Sequence, residues 1–335
     1  MKSFFSIRIF RATAVCLLLL SVLVSAGCSR TGESDVVRAG DETKVDESVA
    51  GSGKLDPLNG TDLFVREMGQ GETILVIHGG PVLEHGYLLP HLNKLAETNR
   101  LILFDQRLSG RSSADVPVKD VTFEKFLGDI DAVRVYAGEE SVHVMGHSWG
   151  GLLAMMYATT FPEQTRSLIL VSPMPASWND WQEESMRLAS LALEQDAIDR
   201  ERVMQSEAFA QQEISAFEEL YEISFRGQFH DRSKVDQLTF YIPPDLNERS
   251  RRFGALMPQF QDYNLYESLA TISAPTLVMY GAAEPAASMS GLKIRDAIDG
   301  AVFSIIPDAG HFSFVEAPDE FNDVLQQFLG MGMTR

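Results

Sequence analysis

Cysteine is almost missing from this chain of 335 residues: there are two, Cys16 and Cys28, both within the first 28 positions. That excludes a disulfide-stapled scaffold, whose small core needs several cross-links. Basic residues are also scarce, with 28 Lys and Arg against 47 Asp and Glu and a formal net charge of −19. Nucleic acid needs a basic face, so this balance argues against it as a partner. The apolar run near the N-terminus is short for a membrane span. What remains is 45% hydrophobic and 22% charged, an ordinary globular composition. The length suits one large domain or two modest ones, with a core that needs no staples.

Lys2, Arg8 and Arg11 precede that apolar run, and small residues follow it, which is the layout of a secretory signal over residues 1–27. Its end, Ser25-Ala26-Gly27-Cys28, resembles the lipobox of bacterial lipoproteins, with Ser25 where Leu is usual. The resemblance implies cleavage before Cys28, lipid on its sulfur, and a membrane-anchored protein in the cell envelope facing away from the cytoplasm. The alternative is an ordinary signal peptide cut nearby. Cleavage removes three basic residues and no acid, so the mature chain is more acidic still and lipid, not charge, is its means of adhesion. Residues 28–59 are polar and lack an apolar period, which predicts a flexible tether.

Beyond the tether, short aliphatic runs alternate with amphipathic stretches. Strands are predicted over 63–67, 73–77, 101–104, 142–145 and 168–171, with helices over 83–97, 123–136 and 151–161. Apolar runs with little alternation suit a parallel sheet covered on both faces, and the βαβ order gives an α/β domain. Residues 176–268 read as helical throughout, after which strands return over 275–280 and 302–306, with a closing helix over 318–329. The expected organisation is therefore an α/β core in two parts, 60–175 and 269–335, interrupted by a helical lid.

Gly146-His147-Ser148-Trp149-Gly150 fits G-x-S-x-G and stands between a predicted strand and a predicted helix, the setting of a nucleophile elbow. A serine nucleophile needs a base, an acid to orient the base, and donors for the oxyanion. His311 follows the last predicted strand and is the candidate base. Glu284 follows the strand over 275–280 and is the candidate acid, with Asp308 its rival; either gives the chain order serine, acid, histidine. In the turn His78-Gly79-Gly80-Pro81 the proline has no N–H, so Gly80 and Trp149 are the expected oxyanion donors. His78 and His147 lie in glycine-rich turns and are read as structural; His85, His91, His143 and His230 show no partner pattern.

The His-Gly-Gly-Pro turn, Asp105-Gln106-Arg107, Gly-His-Ser-Trp-Gly-Gly and Asp308-Ala309-Gly310-His311-Phe312 together resemble the α/β-hydrolase superfamily, and within it the proline iminopeptidase branch. The resemblance implies a mostly parallel eight-stranded sheet with a helical lid, and a serine hydrolase without metal or other cofactor. It also implies an N-terminal residue released from a small peptide substrate, with lid glutamates binding the free amine. Among the lid acids Glu213 and Glu219 are the candidates. The aromatics Trp178, Trp181, Phe217, Tyr221 and Phe225 line an acyl pocket or pack the lid. Three positions depart from the branch: Val82 and Leu108 stand where Gly is usual and are expected to reshape the pocket, and Glu284 stands for Asp. Alternatives on the same residues are a carboxylesterase or lactonase, and a non-catalytic ligand-binding protein with a decayed triad.

Overall fold

The computed structural model describes residues 53–332; the expected signal segment, Cys28 and most of the expected tether lie outside them. The strands are β1 (Gly53–Leu58), β2 (Thr61–Met68), β3 (Glu72–Ile77), β4 (Asn99–Phe104), β5 (Val142–His147), β6 (Thr165–Val171), β7 (Thr276–Gly281) and β8 (Val302–Ile306). They form one sheet in the order β1-β2-β4-β3-β5-β6-β7-β8. β2 pairs antiparallel with β1 and β4, and all other pairs are parallel. The central strands are buried on both faces, which is why β3 and β7 read as largely apolar runs without alternation.

Register decides where chemistry can gather. Ile77 pairs with Gly146, His147 with Val171, Val171 with Met279, and Gly281 with Ile306. The carboxyl ends of five parallel strands therefore stand nearly level, and the turns that leave them share one rim, where open α/β sheets carry their sites. Helix α1 (Phe123–Tyr136) is capped by Thr122, whose hydroxyl accepts from Lys125 N. Helix α2 (Trp149–Thr160) is buried along most of its length, in keeping with a sequence that is apolar all round.

Between β6 and β7 lie the helices α3 (Trp178–Leu191), α4 (Glu194–Met204), α5 (Ile214–Phe225) and α6 (Leu246–Phe253), the expected helical insertion. The chain closes with α7 (Ser290–Ala297), β8 and α8 (Pro318–Gly332). Among the described residues no helix is long and apolar enough to cross a membrane.

Two expectations need correction. Residues 53–59 are not tether: β1 is the edge strand of the sheet, and Asn59 in its turn donates to Asp129 Oδ1 at 2.9 Å. Its side chains are mostly exposed or half-buried, so no apolar period marks it, and Pro57 suits an edge. The stretch over 83–97 is not one α-helix. It is a 3₁₀ helix, His85–Leu92, followed by a single α turn, Asn93–Ala96, because Pro90 inside the segment removes a donor that an α-helix would use.

Candidate active site

β5 ends at His147, and Ser148 makes the turn into α2 with φ 55° and ψ −118°. This is the left-handed region, which costs a non-glycine residue about 1–3 kcal/mol and persists only where neighbours impose it. They do: Ser148 N donates to Val171 O at 3.0 Å, and Ser148 O accepts from Gly151 N and Met174 N, each at 2.9 Å. The two flanking glycines are there for closeness. A Cβ on Gly150 would lie 2.2 Å from Ile77 O, and one on Gly146 would lie 2.3 Å from Gly150 O. A serine that precedes a helix ordinarily caps it. Ser148 makes no cap bond, so its hydroxyl is kept for the cavity it lines.

His311 lies in the turn after β8, and its Nδ1 is 2.8 Å from Glu284 Oε2. A carboxylate only accepts, so Nδ1 carries the proton and Nε2 presents its lone pair. The other carboxylate oxygen of Glu284 accepts from Gly281 N at 3.0 Å and from Ser172 Oγ at 2.5 Å. Glutamate's extra methylene is thus absorbed by folding the side chain back over its own turn. Asp308 is exposed at a left-handed turn position, φ 51°, and the partner of His311 is Glu284.

Gly80 has φ 59°, and the residue beside it is already committed: Gly79 N donates to Tyr87 Oη at 2.7 Å. Trp149 is the first residue of α2, where backbone N–H groups have no acceptor within the helix. Gln106 ties these two segments together, donating to His78 O and accepting from Trp149 Nε1, both at 2.8 Å. Val82 and Leu108 keep the left-handed backbone of the glycines they replace, φ 71° and 63°. Contrary to expectation they do not shape the pocket. Both are buried in the core, and neither lines the cavity.

That cavity, about 350 Å³, runs from Ser148, Gly80, Trp149 and His311 to the lid, where Trp181, Leu188, Phe225 and Phe260 line it. The expected lid acids are not part of it: Glu213 is exposed ahead of α5, and half-buried Glu219 pairs with Arg202. Of the five aromatics, Trp181 and Phe225 line the cavity; Trp178, Phe217 and Tyr221 pack in the core and lid instead. Two lid acids do line it: Asp196 on α4, which is paired with Arg226 and Arg232, and Glu184 on α3. Burial raises its carboxyl from 4.5 to about 7, against hydrogen bonds from Ser290, and Glu284 and Asp180 add to the rise.

The sequence pattern of the alpha/beta hydrolase fold matches residues 72–318. The chain belongs to this family. A proline iminopeptidase of Lactobacillus helveticus is 27% identical over 299 residues, 83% of this chain and 97% of the relative. One from Lacticaseibacillus rhamnosus is 26% identical over 273 residues, covering 79% and 92%. Among solved structures, a proline iminopeptidase of Mycobacterium smegmatis superposes with a TM-score of 0.64 at 22% identity, over 84% of this chain and 98% of that one. The enol-lactonase from Burkholderia xenovorans LB400 gives 0.57 at 20% identity, over 83% and 100%. Likeness at these structural identities speaks for the alpha/beta hydrolase fold alone.

One buried cluster of this hydrolase had no sequence signal. Glu84, His85 and Asp105 bring three ligand-type atoms within 4.8 Å of one another. Their lone pairs already face donors: His85 Nδ1 and N and Arg111 N on Asp105, Gly86 N and Tyr241 N on Glu84, and Arg66 Nε on His85 Nε2. A cation would displace these and sit beside Arg66 and Arg111, so the set fits a structural knot between two turns and not a metal site. His85, which lacked a partner pattern, is thus firmly paired. Glu316 was also missed. Its carboxylate accepts from Gly310 N, His230 N and Asp231 N at 2.7, 3.1 and 2.8 Å, stapling the His311 turn to the lid.

Proposed function

We propose that the protein is a serine hydrolase with Ser148 as nucleophile, His311 as base and Glu284 as orienting acid, acting as an aminopeptidase of the proline iminopeptidase kind. The observation that carries the reading is that a strained serine and a tethered histidine-carboxylate pair open on one apolar cavity. His311 Nε2 takes the Ser148 proton as Oγ attacks a carbonyl carbon. The oxyanion so formed takes hydrogen bonds from Gly80 N–H and Trp149 N–H. As the intermediate collapses, the leaving amine takes the proton from His311. Water then repeats the sequence on the acyl-enzyme, and Ser148 is restored.

Glu184 is the group that would select a free amine, since its ionised carboxylate in an apolar cleft needs a cation to pair with. The relatives of nearly equal length support the same choice. Proline p-nitroanilide should be cleaved, and its N-acetyl derivative at least about 100-fold more slowly. As pH rises through about 7, where Glu184 ionises, KM for the free amine should fall. Equal turnover of blocked and free substrates would favour the second reading, a carboxylesterase or lactonase, which the mostly apolar cavity lining suits.

The N-terminal pattern supports export and lipid attachment at Cys28. Cys28→Ser should move the protein from the membrane fraction to the soluble fraction; retention in the membrane would reject that anchor.

A further inference from the structure

We infer that Tyr87 and His147 form a positioning relay that locks the oxyanion turn to the main chain of the catalytic base. The inference rests on the serine hydrolase reading. Gly79 N donates to Tyr87 Oη at 2.7 Å, Tyr87 Oη lies 2.7 Å from His147 Nδ1, and His147 Nε2 lies 3.1 Å from His311 O. The protons in this chain have one arrangement. A carbonyl only accepts, so Nε2 carries the hydrogen. Burial keeps the imidazole neutral, holding it well below its ordinary 6.5, so Nδ1 is bare and accepts a hydrogen bond from the Tyr87 hydroxyl. Tyr87 Oη in turn accepts a hydrogen bond from Gly79 N–H.

The relay has no slack. Tyr87 and His147 border the cavity yet are each only 2% exposed, and the rings of Phe312 and Phe314 pack against His147 with centroids 5.7 and 5.1 Å away, so the packing holds both side chains in place. His311 is consequently held at three points. Its N–H donates to Gln228 O at 2.8 Å, its carbonyl is held by His147, and its ring by Glu284. The Gly79 end fixes the peptide next to Gly80, so base and oxyanion donor are set relative to each other by one hydrogen-bonded chain. Small misplacement of such groups can cost about 100-fold in rate.

The test is the rate at which a fluorophosphonate phosphonylates Ser148 in the purified full chain, which needs no knowledge of the natural substrate. Tyr87→Phe and His147→Leu should each lower the limiting rate at least 10-fold, with half-saturation changed less than twofold. The double variant should be no more than about twofold slower than the slower single one, because both break the same chain. His147→Gln, whose amide nitrogen can reach the His311 carbonyl, should recover most of the rate. Unchanged rates in folded single variants, or losses that multiply in the double variant, overturn the relay. If His147→Leu does not fold, Tyr87→Phe decides alone, since it removes one oxygen. A wild-type protein that does not react overturns the hydrolase reading and the relay with it, whereas a reactive wild type with indifferent variants overturns the relay only.

Discussion

Ser148 holds conformational strain that the exposure of its hydroxyl requires. Glycine accepts φ 55° without that penalty, so Ser148→Gly should be inactive yet about 1 kcal/mol more stable, read from the urea midpoint; an unchanged or lower midpoint would remove strain from the account. Glu184 makes the opposite kind of demand. Its folded carboxyl titrates at about 7 and its unfolded one at 4.5, so between those values the folded chain keeps a proton that the unfolded chain has released. Stability is therefore intact at this site below pH 4.5 and falls as pH rises toward 7, by about 3 kcal/mol in all. Glu184→Gln should match the wild type at pH 4 and exceed it at pH 8 by up to that amount. A gain equal at both pH values would contradict the titration. Ser148, His311 and Glu284 were legible in the sequence because each sits at a fixed offset from a strand end. Glu184 was not, since many lid acids share its helical spacing and only the folded lid decides which one turns inward.

At the scale of elements, the strands and the buried helices announced themselves through apolar runs and the 3.6-residue period. The exceptions have local causes: β1 buries too little to leave a pattern, and Pro90 shortens what otherwise reads as a helix. Tertiary staples leave no periodic trace at all. Glu316 collects three backbone donors from two distant segments, and only the fold brings Gly310, His230 and Asp231 to one carboxylate. Glu316→Ala leaves these N–H groups without their acceptor and should cost about 2–4 kcal/mol. Amide exchange should quicken at Gly310, His230 and Asp231 before the rest of the sheet. Exchange that quickens evenly across the molecule would mean that Glu316 supports the fold at large and not the His311 turn.

On the scale of the whole molecule, the turns after β3, β5, β6, β7 and β8 and the lid enclose a mostly apolar cavity whose electrostatics are local. The overall acidity of the chain, −19, keeps it from polyanions but says nothing about the substrate, because Glu184, which lines the cavity, responds to burial and to immediate neighbours. Legibility ended in the same place. The sheet and its elbow follow from the sequence one element at a time, whereas the cavity is made by two parts of the chain that meet only after folding. The central claim is that Ser148 is an activated nucleophile. Mass spectrometry after treatment with a fluorophosphonate should find a single adduct on the peptide carrying Ser148, none in Ser148→Ala, and labelling slowed at least about 100-fold in His311→Ala. A folded wild-type protein that stays unlabelled, or that labels elsewhere, would contradict it.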